Sequence, residues 1–173
     1  MMYRIEKVLN HNTVIAIHQD DHKEVLIMGK GVGFGRKVAE RIEVRPEDRL
    51  YSLQKYKERG GAKEIIKSIA PEFLELTNAV LDEAEKVFGK IDRMVLFPLA
   101  DHIAFAVKRI QNHEQISNPL TEDIRVLFHM EFKVAESIRP LLKKQFQIDI
   151  EDDEIGYVAL HIHSAIEDEK VSQ

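Results

Sequence analysis

The sequence contains no cysteine, which excludes disulfide bonds, thiolate metal ligands and a cysteine nucleophile. It contains no run of about 18 apolar residues, so neither a membrane-spanning helix nor membrane insertion is expected. Residues 1–10 alternate and carry charge, unlike the apolar segment of a secretory signal. We therefore expect a cytoplasmic protein.

The net charge of −5 conceals an asymmetry along the 173 residues. Residues 1–55 carry 10 Lys and Arg against 8 Asp and Glu, whereas residues 56–173 carry 15 against 22. The first segment is therefore net positive by 2 and the second net negative by 7. A small basic module followed by an acidic one indicates that only the first module meets a polyanion.

The basic segment has the alternation and turn residues of short strands. The predicted strands are 3–9, 13–18, 23–28 and 50–53. Alternation in the first strand places Tyr3, Ile5, Lys7 and Leu9 on one face. A module of about 55 residues without a metal or a disulfide buries too little surface to be stable alone, so we expect it to dimerise.

The pattern then becomes helical. Residues 54–62 are polar and contain Gly60-Gly61, which is typical of a linker. The predicted helices are 71–88, 92–111, a long third helix from Thr121 and a last helix from Asp152, with a fifth if 62–70 is counted. We expect Thr121 and Asp152 to cap their helices, and Pro140 to kink or end the third. The second module is thus predicted to be an all-α helical bundle.

Glycine is scarce, and four of the eight glycines occupy every second position of 28–37, MGKGVGFGRK. This spacing fits neither a Walker A loop nor the glycine pattern of nucleotide-binding folds. A flexible backbone with Lys30, Arg36 and Lys37 could instead neutralise phosphates, while an exposed Phe34 stacks on an unpaired base. The alternative is a surface hairpin with Phe34 in the core, and both interpretations remain open.

Two histidines of the helical module flank apolar stripes. His102 neighbours Asp101, which could orient the His102 ring or simply be solvated, and His161 shares a helix face with Tyr157. His161 and His163 point to different sides of a helix, so they cannot chelate one metal ion and no metal site is predicted. By themselves, these positions favour ordinary boundary histidines.

Four motifs resemble one family. Lys7-Val-Leu-Asn-His-Asn12 followed by Gly29-Lys-Gly-Val-Gly-Phe34 resembles the co-antiterminator RNA-binding domain of sugar-operon transcriptional antiterminators. Leu99-Ala-Asp-His-Ile-Ala-Phe-Ala106 and Asp153-Glu-Ile-Gly-Tyr-Val-Ala-Leu-His161 resemble the regulation domain of the sugar phosphotransferase system (PTS) in the same proteins. The resemblance spans essentially the whole chain, and the glucose-responsive branch is the most similar.

The resemblance implies a dimeric all-β RNA-binding barrel at 1–55, a linker at 56–62 and a helical regulation domain at 63–173. Such proteins bind a leader mRNA hairpin as homodimers and so prevent transcription termination. They are not enzymes and need no cofactor. They are phosphorylated on histidine by a sugar-specific enzyme II and the phosphocarrier HPr. His102 and His161 are the implied phosphorylation sites. The RNA-binding candidates are Lys7, Asn10, Asn12, Gly29, Lys30, Gly31 and Phe34, with Arg36 added for its charge.

Two features depart from the family pattern. The Asn triplet of the family reads Asn10-His11-Asn12 here, which leaves the role of the middle position open. Family members also carry a second regulation domain, so we expect this chain to be part of a longer protein. Two other classes remain open: a histidine phosphotransfer module, which would not explain the basic segment, and a DNA-binding regulator, which would lack a helix-turn-helix before the linker.

Overall fold

The computed structural model describes residues 1–53, 61–114 and 116–166. The chain divides into two compact units, Met1–Glu75 and Leu76–Gln173. Most of the predicted linker, 56–62, lies outside the described residues, so the domain boundaries remain predictions. In the described ranges, every helix is too short or too polar to cross a membrane.

The first unit contains a five-stranded antiparallel sheet. Its strands are β1 Met2–Asn10, β2 Thr13–His18, β3 Glu24–Met28, β4 Arg41–Glu43 and β5 Arg49–Ser52. The strand order is β4-β1-β2-β3-β5, so the two central hairpins follow the chain and the short strands form the edges. The four predicted strands are present, and β4 was missed because three residues are too few to show a period.

The predicted single face of β1 is wrong beyond Ile5. Tyr3 and Ile5 point into the core, but Lys7 is exposed. The pairing with β2 shifts register between Ile5 and Lys7 and again between Val8 and Asn10. Each bulge inserts an extra residue and changes which face the following side chains take. The core of the sheet comprises Tyr3, Ile5, Val14, Ala16, Ile27, Val32 and Ile42.

Helices make up the rest of the described chain. They are α1 Ala62–Ser68, α2 Pro71–Phe88, α3 Leu96–Gln111, α4 Thr121–Leu127, α5 His129–Ala135, α6 Ile138–Phe146 and α7 Asp152–Ala165, with a 3₁₀ turn at Arg93–Val95. As predicted, Pro71 begins α2, and Gly89 follows its last residue with a φ of +78°. A sheet unit and a helical unit agree with the predicted two-domain fold class; a closed barrel, a dimer and a single bundle remain predictions.

The predicted long third helix is in fact three helices. Phe128 has φ −119° and ψ +50°, which is not helical, and it separates α4 from α5. A second turn before Ile138 separates α5 from α6. Pro140 is the third residue of α6, where a backbone N–H has no partner within the helix, so the proline is tolerated there and the helical interruption lies just before it.

The predicted capping roles of Thr121 and Asp152 are also wrong. Leu120 and Glu151 occupy the two cap positions, and neither forms a side-chain capping bond. The Thr121 hydroxyl lies 2.6 Å from Asp153 Oδ1, so it links α4 to α7. The Asp152 carboxylate accepts a hydrogen bond of 2.7 Å from Arg125 and is therefore committed to an ion pair between helices.

Candidate RNA-binding loop and histidine site

The glycine segment and the β1–β2 turn form one hydrogen-bonded structure. The Gly33 amide donates to the His11 carbonyl at 2.8 Å, and the Gly29 amide donates to the Asn12 carbonyl at 3.0 Å. The Asn12 side-chain oxygen accepts from the Gly31 amide at 2.8 Å. Two motifs that are well separated in sequence therefore meet at one end of the sheet. We call residues 10–12 and 29–34 together the Asn–Gly loop.

Glycine is required at two positions of this loop for different reasons. A Cβ at Gly33 would lie 2.3 Å from the Asn10 carbonyl oxygen, which is too close for any side chain. Gly31 has a φ of +73°, a conformation that L residues with side chains rarely adopt. Between them Val32 is buried and fixes the loop to the sheet core. The loop is therefore shaped by its backbone.

Phe34 is 67% exposed at the end of the Asn–Gly loop, so the interpretation of Phe34 as a core residue is wrong. The ring of His11, also exposed, contacts it edge-on with 5.0 Å between ring centroids and 90° between the planes. Two adjacent aromatic rings on the surface form a platform on which a base could stack. Sequence reasoning left the middle residue of the Asn-His-Asn turn without a role, and the structure places it against Phe34.

The polar candidates differ in how far their side chains are engaged. Lys30 is exposed, whereas Arg36 forms an ion pair of 2.7 Å with Glu40. The Asn10 amide donates to Glu75 at 2.9 Å, and its side-chain oxygen accepts from the Asn12 amide at 2.9 Å. Lys30 is therefore the candidate cation that the loop itself presents to a ligand.

Lys7 lies apart from the loop on β1. It is exposed and lines a groove together with Glu24, Lys63 and Lys67. The structure thus brings Asn10, Asn12, Gly29, Lys30, Gly31 and Phe34 together, but it places Lys7 along the strand and Arg36 beyond the loop in an ion pair.

Sequence reasoning missed two residues that support the loop. Arg45 donates to the Lys30 carbonyl at 2.7 Å and to Asp48 Oδ1 at 2.8 Å. Asp48 is buried and also accepts from the Arg45 amide at 2.9 Å. The only sequence signal was an Arg three residues before an Asp, which is too common to single out.

The two candidate phosphorylation sites face each other in the second unit. The rings of His102 on α3 and His161 on α7 have centroids 5.3 Å apart, and both are half-buried. The Tyr157 ring lies 5.9 Å from that of His102. Helical periodicity placed each histidine beside an apolar stripe, but it could not show that the two stripes pack with their histidines together. We call His102, His161 and the neighbouring Tyr157, Arg109 and Glu154 the histidine site.

A buried ion pair completes this site, and sequence reasoning missed it. Glu154 is only 2% exposed, and its Oε1 accepts from Arg109 Nη2 at 2.6 Å. Its Oε2 lies 3.4 Å from His102 Nε2. Asp101, the residue first considered for orienting His102, is exposed, and Glu154 is the carboxylate that faces the ring. The signal existed: Arg109 follows His102, and His161 follows Glu154, by seven residues, which is two helical turns.

The electrostatics of the site follow from burial and these contacts. Burial alone would raise the pKa of Glu154, but the contacts with His102 and Arg109 and the charges of those residues outweigh it and hold that pKa below its usual range. Burial, and secondarily the charge of His102, lowers the pKa of His161 to about 4. His161 is therefore a neutral imidazole at neutral pH, with one ring nitrogen carrying a free lone pair.

The depressed pKa of His161 should make the stability of the protein depend on pH. The folded protein protonates His161 near pH 4, whereas the unfolded chain does so near 6.5 and binds more protons in between. The free energy of unfolding should therefore fall by about 1–3 kcal/mol as the pH drops through this window. Urea denaturation at both ends of the window should show that His161→Gln reduces this decline. The control His129→Gln, at an exposed position, should retain it; equal declines in both variants would contradict the burial argument.

The other described histidines have different surroundings. His163 Nδ1 lies 2.7 Å from Glu131 Oε2, and the His163 ring stacks on Phe128 with centroids 4.0 Å apart. His18 pairs with Asp21 at 3.0 Å. Across 1–53, 61–114 and 116–166, no group of three His, Cys, Asp or Glu side chains has the arrangement to hold a metal ion.

Comparison with known proteins agrees with this two-part arrangement. Residues 3–60 match the CAT RNA binding domain, and residues 75–165 match the PRD domain. The chain is 33% identical over 170 residues to the GlcA/glcB genes antiterminator of Staphylococcus carnosus and covers 58% of that protein. It is 29% identical over 171 residues to Protein GlcT of Staphylococcus haemolyticus, again covering 58%. These alignments include 96% of this chain, which thus spans little more than half the length of these relatives.

A solved structure gives the same result. The crystal structure of GlcT CAT-PRDI superimposes with a TM-score of 0.80 and 30% sequence identity, covering 97% of this chain and all of the other. The domain matches and these relatives confirm both the family resemblance and its glucose branch. The chain therefore belongs to the sugar-operon transcriptional antiterminator family, with a CAT RNA binding domain followed by a PRD domain.

Proposed function

We propose that this chain is an RNA-binding transcriptional antiterminator that stabilises a leader mRNA hairpin, and that histidine phosphorylation by the sugar phosphotransferase system regulates it. The observation that carries the proposal is the Asn–Gly loop, because it presents an exposed Phe34 with His11 against its edge and an exposed Lys30 in the same loop. Stacking on unpaired bases with nearby cations for phosphates is typical of single-stranded RNA recognition. Duplex DNA would offer no free base faces to these rings.

The proposed RNA site comprises Lys7, Asn10, Asn12, Gly29, Lys30, Gly31, Phe34 and Arg36. Within it, we assign base stacking to Phe34 and phosphate neutralisation to Lys30. Asn10 and Asn12 shape the turn through their side-chain oxygens, so their contribution is chiefly to hold the loop. For Arg36 to bind a phosphate, it has to leave Glu40, so we expect its contribution to be smaller.

The proposed phosphorylation sites are His102 and His161. Phosphoryl transfer from a phosphohistidine donor needs a neutral imidazole, which the lowered pKa of His161 supplies. The ring lone pair forms a new N–P bond while the donor N–P bond breaks, and the donor ring keeps that electron pair. Each ring retains the proton on its other nitrogen, so no proton has to move. The phosphoryl group comes from another protein, and the chain is a substrate instead of an enzyme.

The regulatory consequence we propose is a change in a homodimer. The sheet unit is too small to bury a sufficient hydrophobic core by itself. We therefore infer that it forms its small barrel by pairing with a second copy. A phosphoryl group adds about −1.5 to −2 charge, by analogy with other phosphorylated side chains. Such groups on an acidic helical bundle would repel across a two-fold interface and so alter how the two RNA-binding modules are held. We propose sugar-specific enzyme II and the phosphocarrier HPr as the phosphoryl donors in the cytoplasm.

A gel-shift titration tests the proposed function. The chain should bind a hairpin RNA with an unpaired internal loop, and binding should weaken as salt rises because phosphates are neutralised. A duplex DNA of the same sequence and length is the matched control and should bind much more weakly. Tighter binding to the duplex DNA than to the hairpin would contradict the proposal and favour a DNA-binding regulator.

A further inference from the structure

Three buried polar atoms at the histidine site lack a hydrogen-bond partner among the described residues. They are His102 Nε2, Glu154 Oε2 and Arg109 Nε. The first two lie 3.4 Å apart without a well-formed hydrogen bond, and Arg109 uses Nη2, not Nε, for Glu154. Buried polar groups are normally satisfied, so three incomplete ones at one place indicate that the site is built for another group.

We propose that Arg109 is the phosphoryl-binding residue of the histidine site and that the Glu154 carboxylate occupies the phosphoryl position until His102 is phosphorylated. This inference rests on the proposed function, because it requires His102 to accept a phosphoryl group. It adds a positioning residue, Arg109, and a buried carboxylate, Glu154, that competes with the modification.

Geometry places the phosphoryl group where the carboxylate now lies. A phosphorus atom bonded to His102 Nε2, together with its oxygens, would fill the 3.4 Å that separates this nitrogen from Glu154 Oε2. Glu154 is almost fully buried and cannot share this space with a phosphoryl group. Phosphorylation at Nε2 therefore requires the carboxylate to leave.

Charge also favours the replacement of the Glu154 carboxylate by the phosphoryl group. A phosphoryl group carries about −1.5 to −2 charge, against −1 for the carboxylate, so it is the stronger partner for the half-buried guanidinium of Arg109. Guanidinium groups bind phosphate through two parallel N–H bonds. Arg109 now makes a single bond of 2.6 Å to Glu154 and keeps Nε unused, so a phosphoryl oxygen pair would complete its hydrogen bonding.

The exchange would also transmit a structural change from the histidine site to neighbouring helices. Glu154 belongs to the first turn of α7, where Asp152 pairs with Arg125 at 2.7 Å and Asp153 accepts from Thr121 at 2.6 Å. Losing Arg109 would leave a buried carboxylate unpaired next to a phosphoryl group, which is strongly unfavourable. The first turn of α7 would have to move to expose Glu154, so phosphorylation at α3 would be transmitted to the contacts of α4 with α7.

Opposite effects of the two partners test this proposal. In the full chain with His161→Ala, so that His102 is the acceptor, the rate of phosphorylation by phosphoramidate is followed by intact mass. Glu154→Gln should raise the rate about tenfold, and Arg109→Gln should lower it about tenfold, because each charge acts oppositely on the incoming group. Arg109→Lys, which keeps the charge, should fall between Arg109→Gln and the parent.

A merely structural ion pair predicts something else. Both Gln variants break the same contact and lower the melting temperature, so a structural role would change the two phosphorylation rates in the same direction. Lys86→Gln, which removes an exposed ion pair with Glu83 within α2, is the control and should leave the rate unchanged. Phosphorylation rates that change in the same direction would overturn the proposed exchange of Glu154 for the phosphoryl group but not the proposed function. No label on His102 or His161 in the unsubstituted chain would overturn the proposed function and this inference with it.

Discussion

Alanine at both His102 and His161 should abolish phosphorylation of the chain by a reconstituted sugar phosphotransferase system. The two rings share one half-buried site, with centroids 5.3 Å apart, and both lie in motifs that resemble the phosphorylation sites of the family. Intact mass after incubation with the phosphorylated donors measures the label, which should be acid-labile as expected for phosphohistidine. The expected result is complete loss, because no other described histidine has this environment.

His163→Ala is the matched control for that experiment. His163 is also on α7, but its Nδ1 is within hydrogen-bonding distance of Glu131 and its ring stacks on Phe128. This variant should be labelled like the unsubstituted chain. Label that persists in the double variant on His163 or His129 would contradict the site assignment.

Phe34→Ala should weaken binding to the hairpin RNA by roughly 5- to 150-fold, because stacking of one base on an aromatic ring contributes about 1–3 kcal/mol. The same substitution should leave the melting temperature nearly unchanged, since the side chain is exposed and lies outside the sheet core. RNA titration and thermal unfolding of the same preparation measure both quantities.

Val38→Ala is a suitable control for Phe34→Ala. Val38 is an exposed apolar residue of the same unit, but it lies beyond the Asn–Gly loop. It should affect neither RNA affinity nor melting temperature. An unchanged RNA affinity in Phe34→Ala would remove base stacking from the proposal, whereas a large fall in melting temperature would mean that the ring supports the fold.

The sequence predicted those parts of the fold that local periodicity and turn chemistry determine. The strand Thr13–His18 and the helix from Pro71 to the residue before Gly89 were predicted correctly, because β-branched residues, a proline and a glycine mark them. The break at Phe128 carries no glycine or proline, so α4 and α5 were predicted as one helix, whereas Pro140, for which an interruption was predicted, lies just after the break before Ile138. Tertiary packing overrides local preference at such places.

The functional site was predictable only in part for a similar reason. Motifs identified Phe34, His102 and His161, but they could not show that His11 contacts Phe34 or that the two histidines meet. Glu154 lies in the acidic first turn of α7, where carboxylates usually face water, so its position in the sequence did not indicate that it is buried. Its burial follows from the packing of α3 against α7, a long-range contact that one sequence does not reveal.

The most direct test of the central claim is the affinity of the chain for the hairpin RNA before and after stoichiometric phosphorylation. The proposed function predicts that phosphorylation at the histidine site changes the dissociation constant or the dimerisation of the unsubstituted chain. It also predicts that the double variant at His102 and His161 shows no such change under the same treatment. RNA affinity and dimerisation that remain equal, in a chain whose histidines are fully phosphorylated, would contradict the regulatory link between the two units.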